Sequence, residues 1–107
     1  MFVAKVTGSL VATQKVASMT GHKMLLVEPY RLDAKTRGKL TTTGRELVAV
    51  DTVGAGEGEF VLITQGSSAR LTPETKNLPV DTVIIGIVDT VHVDHQCVYD
   101  KEEKDTE

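Results

Sequence analysis

The run from Val80 to Val93, V-D-T-V-I-I-G-I-V-D-T-V-H-V, limits what this chain can fold into more than any other stretch. Its wealth of β-branched residues favours a strand over a helix. Read with a period of two, Val83, Ile85, Ile87 and Val91 face one way, and Ile84, Val88 and His92 face the other. Both faces are largely apolar. A small antiparallel domain normally leaves one face of each strand in water. Such a strand therefore belongs in the closed part of a barrel or against another subunit.

Other strands surround it. Residues Phe2 to Ala12 alternate, with Phe2, Ala4, Val6, Leu10 and Ala12 on one face and Lys5, Thr7 and Ser9 on the other. Gly8 within the run predicts a bulge or sharp bend. His22 to Leu32 is centred on the apolar Met24-Leu25-Leu26-Val27, and Pro29 marks an edge or the end of regular pairing. Asp33 to Arg45 reads as a solvated basic loop with Lys35, Arg37, Lys39 and Arg45. Two short apolar runs, Val48–Val50 and Phe60–Ile63, flank a corner carrying Gly54, Gly56 and Gly58. That corner suits a tight turn or a close approach by another backbone. Asp94-His95-Gln96 reads as a turn before a short last strand, Cys97-Val98-Tyr99.

Composition narrows the function. A chain of 107 residues holds one domain, here residues 1–99, followed by the polar acidic tail 100–107. With 40% hydrophobic and 25% charged residues, it has the balance of an ordinary globular domain. A formal net charge of -3 and an aromatic content of 4% argue against nucleic acid, which calls for a basic face and stacking rings. The single cysteine, Cys97, forms no intrachain disulfide and fits a reducing cytosol. Neither a signal peptide nor a run near the ~20 apolar residues of a membrane helix is seen, so no membrane partner is expected.

Catalytic and ligand motifs fail on inspection. Gly54-x-Gly56 with Gly58 lacks the third glycine of a dinucleotide fingerprint, because position 59 is Glu, and no Gly-Lys-Ser/Thr follows. Gly66-Ser67-Ser68-Ala69-Arg70 is no nucleophile elbow, because Arg stands where the last glycine belongs. Ser67 or Ser68 better serves to cap a short helical turn. His92-x-x-His95-x-Cys97 is the metal-like cluster, yet His92 and His95 fall on opposite faces of one strand. Asp51, Asp81 and Asp89 are not paired by spacing and suit backbone capping. Arg70 is placed to reach Asp81 or Asp89. No cofactor, metal or catalytic residue is expected.

About five strands, a bend at Gly8, a short helical turn and almost no helix indicate an all-β chain: a small OB-like Greek-key barrel. Three blocks then carry a family likeness. Ala4-Lys5-Val6-Thr7-Gly8 runs through Val11-Ala12-Thr13-Gln14-Lys15. Asp51-Thr52-Val53-Gly54-Ala55-Gly56-x-Gly58-Glu59 leads to Gly66-Ser67-Ser68-Ala69-Arg70. Pro79-Val80-Asp81 leads to Ile84-Ile85-Gly86-Ile87-Val88-Asp89. In these blocks, from Met1 to about Val93, the chain resembles the vertex proteins of bacterial microcompartments, typified by pentameric carboxysome and ethanolamine-utilisation shell proteins.

The resemblance implies a cyclic homopentamer at the vertices of a polyhedral shell in the bacterial cytoplasm, beside hexameric shell proteins that tile the facets. It implies a structural, non-enzymatic role. It further implies that Gly54, Ala55, Gly56 and Gly58, with Ser67, Ser68, Ala69 and Arg70, and with Asp81 and Asp89, lie at subunit contacts or near the axis. An OB-type binding module for nucleic acid or a small ligand is the alternative.

Overall fold

A computed structural model describes residues 1–12, 21–35, 37–66, 69, 71 and 81–102. Among these residues eight strands run β1 (Phe2–Leu10), β2 (Lys23–Leu32), β3 (Leu40–Thr42), β4 (Leu47–Asp51), β5 (Phe60–Gln65), β6 (Thr82–Ile87), β7 (Thr90–Val93) and β8 (Gln96–Asp100). Hydrogen-bonded neighbours follow the order β1-β5-β6-β4-β2-β3, and β1 also pairs with β2. That last pairing closes β1, β5, β6, β4 and β2 into a barrel, which leaves these strands no free edge. The β4–β6 pair is parallel; the others are antiparallel. The all-β barrel expected from the sequence is the fold observed, with β3, β7 and β8 added outside it.

Alternation fills the interior. Ala4, Val6, Leu25, Val27, Ala49, Val61, Ile63 and Ile84 form its buried core, joined by Ala55 from a loop. A second, smaller cluster lies outside the barrel wall, where Ala69 covers Val50 and Val83, with Met24 and Ile85 beside it. The two apolar faces of β6 are thereby explained within one subunit: Ile84 points in, and Val83 lies under Ala69.

Three expectations are corrected. First, the bulge at Gly8 is present, since Val6 pairs with Val27 but Gly8 pairs with Leu26, skipping Thr7. One extra residue reverses the phase of everything after it. Leu10 therefore pairs with Met24 on the outside, instead of sharing the face of Val6, and is 39% exposed. Second, Asp33 to Arg45 is not all loop. Beyond Pro29, β2 exchanges its partner β4 for β3, so this segment supplies one strand of a hairpin with the end of β2. Third, the Val80–Val93 run is two strands. The Val88 N–H still donates to the Phe60 carbonyl (2.8 Å), but β7 then leaves the barrel and pairs with β8.

The β7–β8 hairpin turns at Asp94 and His95, whose φ values of 51° and 67° are both left-handed. That geometry matches the twist of a two-residue hairpin. A lone two-stranded hairpin is marginal in water, and this one is tied to the barrel. Tyr99 packs on Phe60 with ring centroids 4.4 Å apart, and Tyr30 meets the same ring edge-on at 5.0 Å. The Lys101 N–H donates to the Asp89 carbonyl (2.7 Å). Of the segment 100–107, Asp100 thus belongs to β8 and Lys101 is fixed; residues 103–107 lie outside the described residues.

Candidate subunit interface

The glycine corner between β4 and β5 is held by its own carboxylates. Asp51 ends β4, and its side chain accepts the N–H groups of Val53 (3.0 Å), Gly54 (3.1 Å) and Ala55 (2.9 Å). Glu59 Oε1 accepts the Gly56 N–H at 2.6 Å. Consecutive N–H groups of this kind form an anion-binding nest. Here the anions are built in, so the phosphate-like glycine pattern is occupied by the chain itself.

Gly54 and Gly58 have φ of 78° and 87°, the left-handed region where a side chain is strained. Gly56 differs. Its φ is not left-handed, and an added Cβ would meet only Glu59 Oε1 at an ordinary 3.5 Å. Among the described residues, nothing requires glycine there.

Three strands grip the corner. The Gly58 N–H donates to the Val6 carbonyl (2.8 Å), and the Val6 N–H to the Glu59 carbonyl (2.9 Å). Lys23 Nζ donates to the Ala55 carbonyl (3.2 Å), and Thr52 Oγ1 to the Ile84 carbonyl (2.7 Å). Ala55 is fully buried in the core. Lys101 Nζ reaches Glu59 Oε2 at 2.9 Å. The hydrogen bond from Lys101, then that from Gly56, holds the Glu59 carboxyl below its ordinary range; the same bond raises Lys101. Burial, then the charge of Glu28, raises Tyr30, and burial raises Tyr99.

The residues singled out in the sequence fall in two places. Gly54, Ala55, Gly56 and Gly58 share the corner, and Asp89 is linked to it through Lys101. Asp81 and Ala69 lie at the start of β6, where the Asp81 carbonyl accepts the Gly66 N–H (2.8 Å) and its carboxylate accepts the Thr82 hydroxyl (3.4 Å). Ala69 is a packing residue. Ser67, Ser68 and Arg70, with their expected cap and salt link, lie outside the described residues. His92 faces Cys97 across the hairpin while His95 sits in its turn, and all three are exposed. Among the described residues, no three His, Cys, Asp or Glu side chains converge on a metal position. A cleft of about 160 Å³ opens between Phe2, Pro29, Arg45, Leu47 and Gln65, well under the roughly 300–1,000 Å³ of ordinary ligand pockets.

Sequence reasoning missed the aromatic tie and the Lys101–Glu59 link. One signal was available: the chain has four aromatic residues, and three of them meet.

Residues 1–89 match the family described as ethanolamine utilisation protein EutN/carboxysome. The chain belongs to this family. It is 46% identical over 91 residues to the microcompartment shell vertex protein PduN of Salmonella typhimurium, covering 85% of this chain and 98% of that one. Gloeobacter violaceus CcmL superposes with a TM-score of 0.84 at 40% identity, over 96% of this chain and 100% of that one. The pentameric microcompartment shell protein GrpN of Rhodospirillum rubrum gives a TM-score of 0.71 at 41% identity, over 87% and 98%. As a member of the EutN/carboxysome family, the chain is a structural shell vertex protein and not an enzyme. The family match ends at residue 89, one residue before β7.

Proposed function

We propose that five copies of this chain close into a ring that caps the vertices of a microcompartment and docks against the edges of flat hexameric shell proteins. The likeness to the pentameric GrpN, over almost all of that chain, carries this reading. A ring of this kind is a heterologous interface that closes by rotation, and it needs two different complementary surfaces on each copy. The glycine corner is a good candidate for one. It is fixed internally, and at Gly56 nothing among the described residues calls for glycine. In this reading Gly54, Ala55, Gly56 and Gly58 lie at a subunit contact or near the axis. The same reading puts Asp81 and Asp89, and Ser67, Ser68, Ala69 and Arg70, at subunit contacts or near the axis as well. Nucleic acid is not a partner, consistent with the net charge of -3.

The test is shell closure. Co-expressed with the hexameric shell proteins of one compartment, the chain should yield closed polyhedra in electron micrographs, and its omission should leave tubes or open sheets. Equally closed shells without it would defeat the proposal. At the residue level, Gly56→Val should disrupt the ring while sparing the barrel.

A further inference from the structure

The two ends of the barrel are finished differently. At one end lies the glycine corner, whose Ala55 is fully buried in the core. At the other end the inward phase of four strands runs out. Ala4, Val27, Ala49 and Ile63 are core residues, and side chains alternate along a strand. The positions two residues nearer this end, Phe2, Pro29, Leu47 and Gln65, therefore share the inward phase. The register keeps them together, since Phe2 pairs with Ile63, Pro29 with Ala4, and Leu47 with Val27. They do not fill the mouth. With Arg45, two residues before Leu47, they line the cleft of about 160 Å³.

The chemistry of this mouth is one-sided. The Pro29 carbonyl already accepts both the N–H (3.2 Å) and the hydroxyl (2.9 Å) of Thr43. Gln65 Nε2 donates one hydrogen to Thr82 Oγ1 (3.5 Å) and keeps a second. Among the described residues the ion pairs are Arg37–Asp94 and Lys101–Glu59, and the Arg45 guanidinium has none. The carboxylates nearest along the chain, Glu28 and Glu46, are one residue out of phase and accept from the Thr42 and Thr7 hydroxyls. An apolar floor of Phe2, Pro29 and Leu47 thus lies beside unused N–H donors, one group of them cationic.

From this we infer that the open end of the barrel binds a small monocarboxylate. Its apolar body, no larger than a benzene ring, rests on Phe2 and Leu47, and its carboxylate meets Arg45 and Gln65. Size and charge both select such a ligand. The cleft is too small for an ordinary ligand, but an apolar cavity of about 150 Å³ takes up benzene. A guanidinium holds a carboxylate through two parallel N–H donors. Barrel mouths are a usual place for ligand sites. One subunit supplies every group, so the site stands whatever the number of copies in the ring.

Saturation-transfer NMR of the purified full chain tests this with benzoate, benzyl alcohol and N-acetylphenylalanine. Benzoate should bind saturably. Benzyl alcohol, with the same ring and no charge, should bind about tenfold or more weaker. Arg45→Gln should weaken benzoate by a similar factor. Lys35→Gln removes an exposed cation that does not line the cleft and should change nothing. Both positions are exposed, and retained amide spectra check that both variants fold. No saturable benzoate binding, or an R45Q affinity equal to that of the wild type, would overturn the site. Equal binding of benzyl alcohol would overturn the carboxylate. N-acetylphenylalanine carries ring and carboxylate as a chain end does. If it bound more tightly than benzoate, the mouth would belong to a peptide C-terminus and the small-molecule assignment would fall.

Discussion

Two sectors of the same barrel wall are built from similar residues and meet different fates. On β5, Phe60 is roofed by the chain's own hairpin through Tyr99, with Tyr30 at its edge and the Lys5 ammonium 6.0 Å from its centre. On β2 and β4, Leu26 and Val48 have no such roof among the described residues. The difference teaches that burial in this protein is divided. The hairpin after β6 finishes one side of the subunit, and on the other side Val48 stays 45% exposed, with no such cover among the described residues. Because the finished side is stabilised within one chain, its variants should report on folding. Variants at Val48 should barely touch it.

The largest expected effect breaks the finished side. Phe60→Ala removes the ring that joins Tyr30 to Tyr99 and should cost about 3–5 kcal/mol in urea unfolding, with faster amide exchange in β7 and β8. A loss no greater than that of Val48→Ala would erase the distinction between the sectors. Asp51→Ala comes next. It leaves the N–H groups of Val53, Gly54 and Ala55 without their shared acceptor and should cost about 1–3 kcal/mol. Gly58→Ala should cost about 1–2 kcal/mol, because alanine must take the left-handed φ that glycine holds. Both are read by the same unfolding curves.

The smallest effects sharpen the comparison. Val48→Ala should change the stability of the dissociated subunit by less than about 0.5 kcal/mol, as exposed positions do. Acid should loosen the link between corner and hairpin. The Glu59 carboxyl is held low by Lys101 and Gly56, so its contribution is complete above the unfolded carboxyl value of about 4.3 and is lost as pH falls through the depressed one. Lys101, raised by Glu59, contributes fully below about 10.4 and loses its contribution as pH rises through its raised value. An NMR titration of the Gly56 amide should move with the Glu59 step, and that step should shift to higher pH in Lys101→Ala.

The barrel was legible because its strands alternate and its glycines fall at bends. What escaped has a physical cause in each case. The bulge at Gly8 was readable, but alternation counted straight across it placed Leu10 inside; the inserted residue, Thr7, sent it out. The Val80–Val93 run gave no sign of where β6 ends, since Val88 and Val91 are as strand-prone as Ile84. Only the Val88–Phe60 hydrogen bond and the pairing with β8 locate the exit. In the site, the glycine corner stood out, and the reading of Asp51 as a backbone acceptor matches its three hydrogen bonds. The cluster of Tyr30, Phe60 and Tyr99 did not, because Tyr30 and Phe60 meet only in the closed barrel and Tyr99 reaches them only through the hairpin that packs on its wall.

Hydroxyl-radical footprinting of the assembled protein tests the central division most directly. Phe60 should be labelled far less than a free phenylalanine ring, while exposed hairpin residues such as His92 and His95 label freely. Full labelling of Phe60 would contradict the account, because the hairpin would then be no roof.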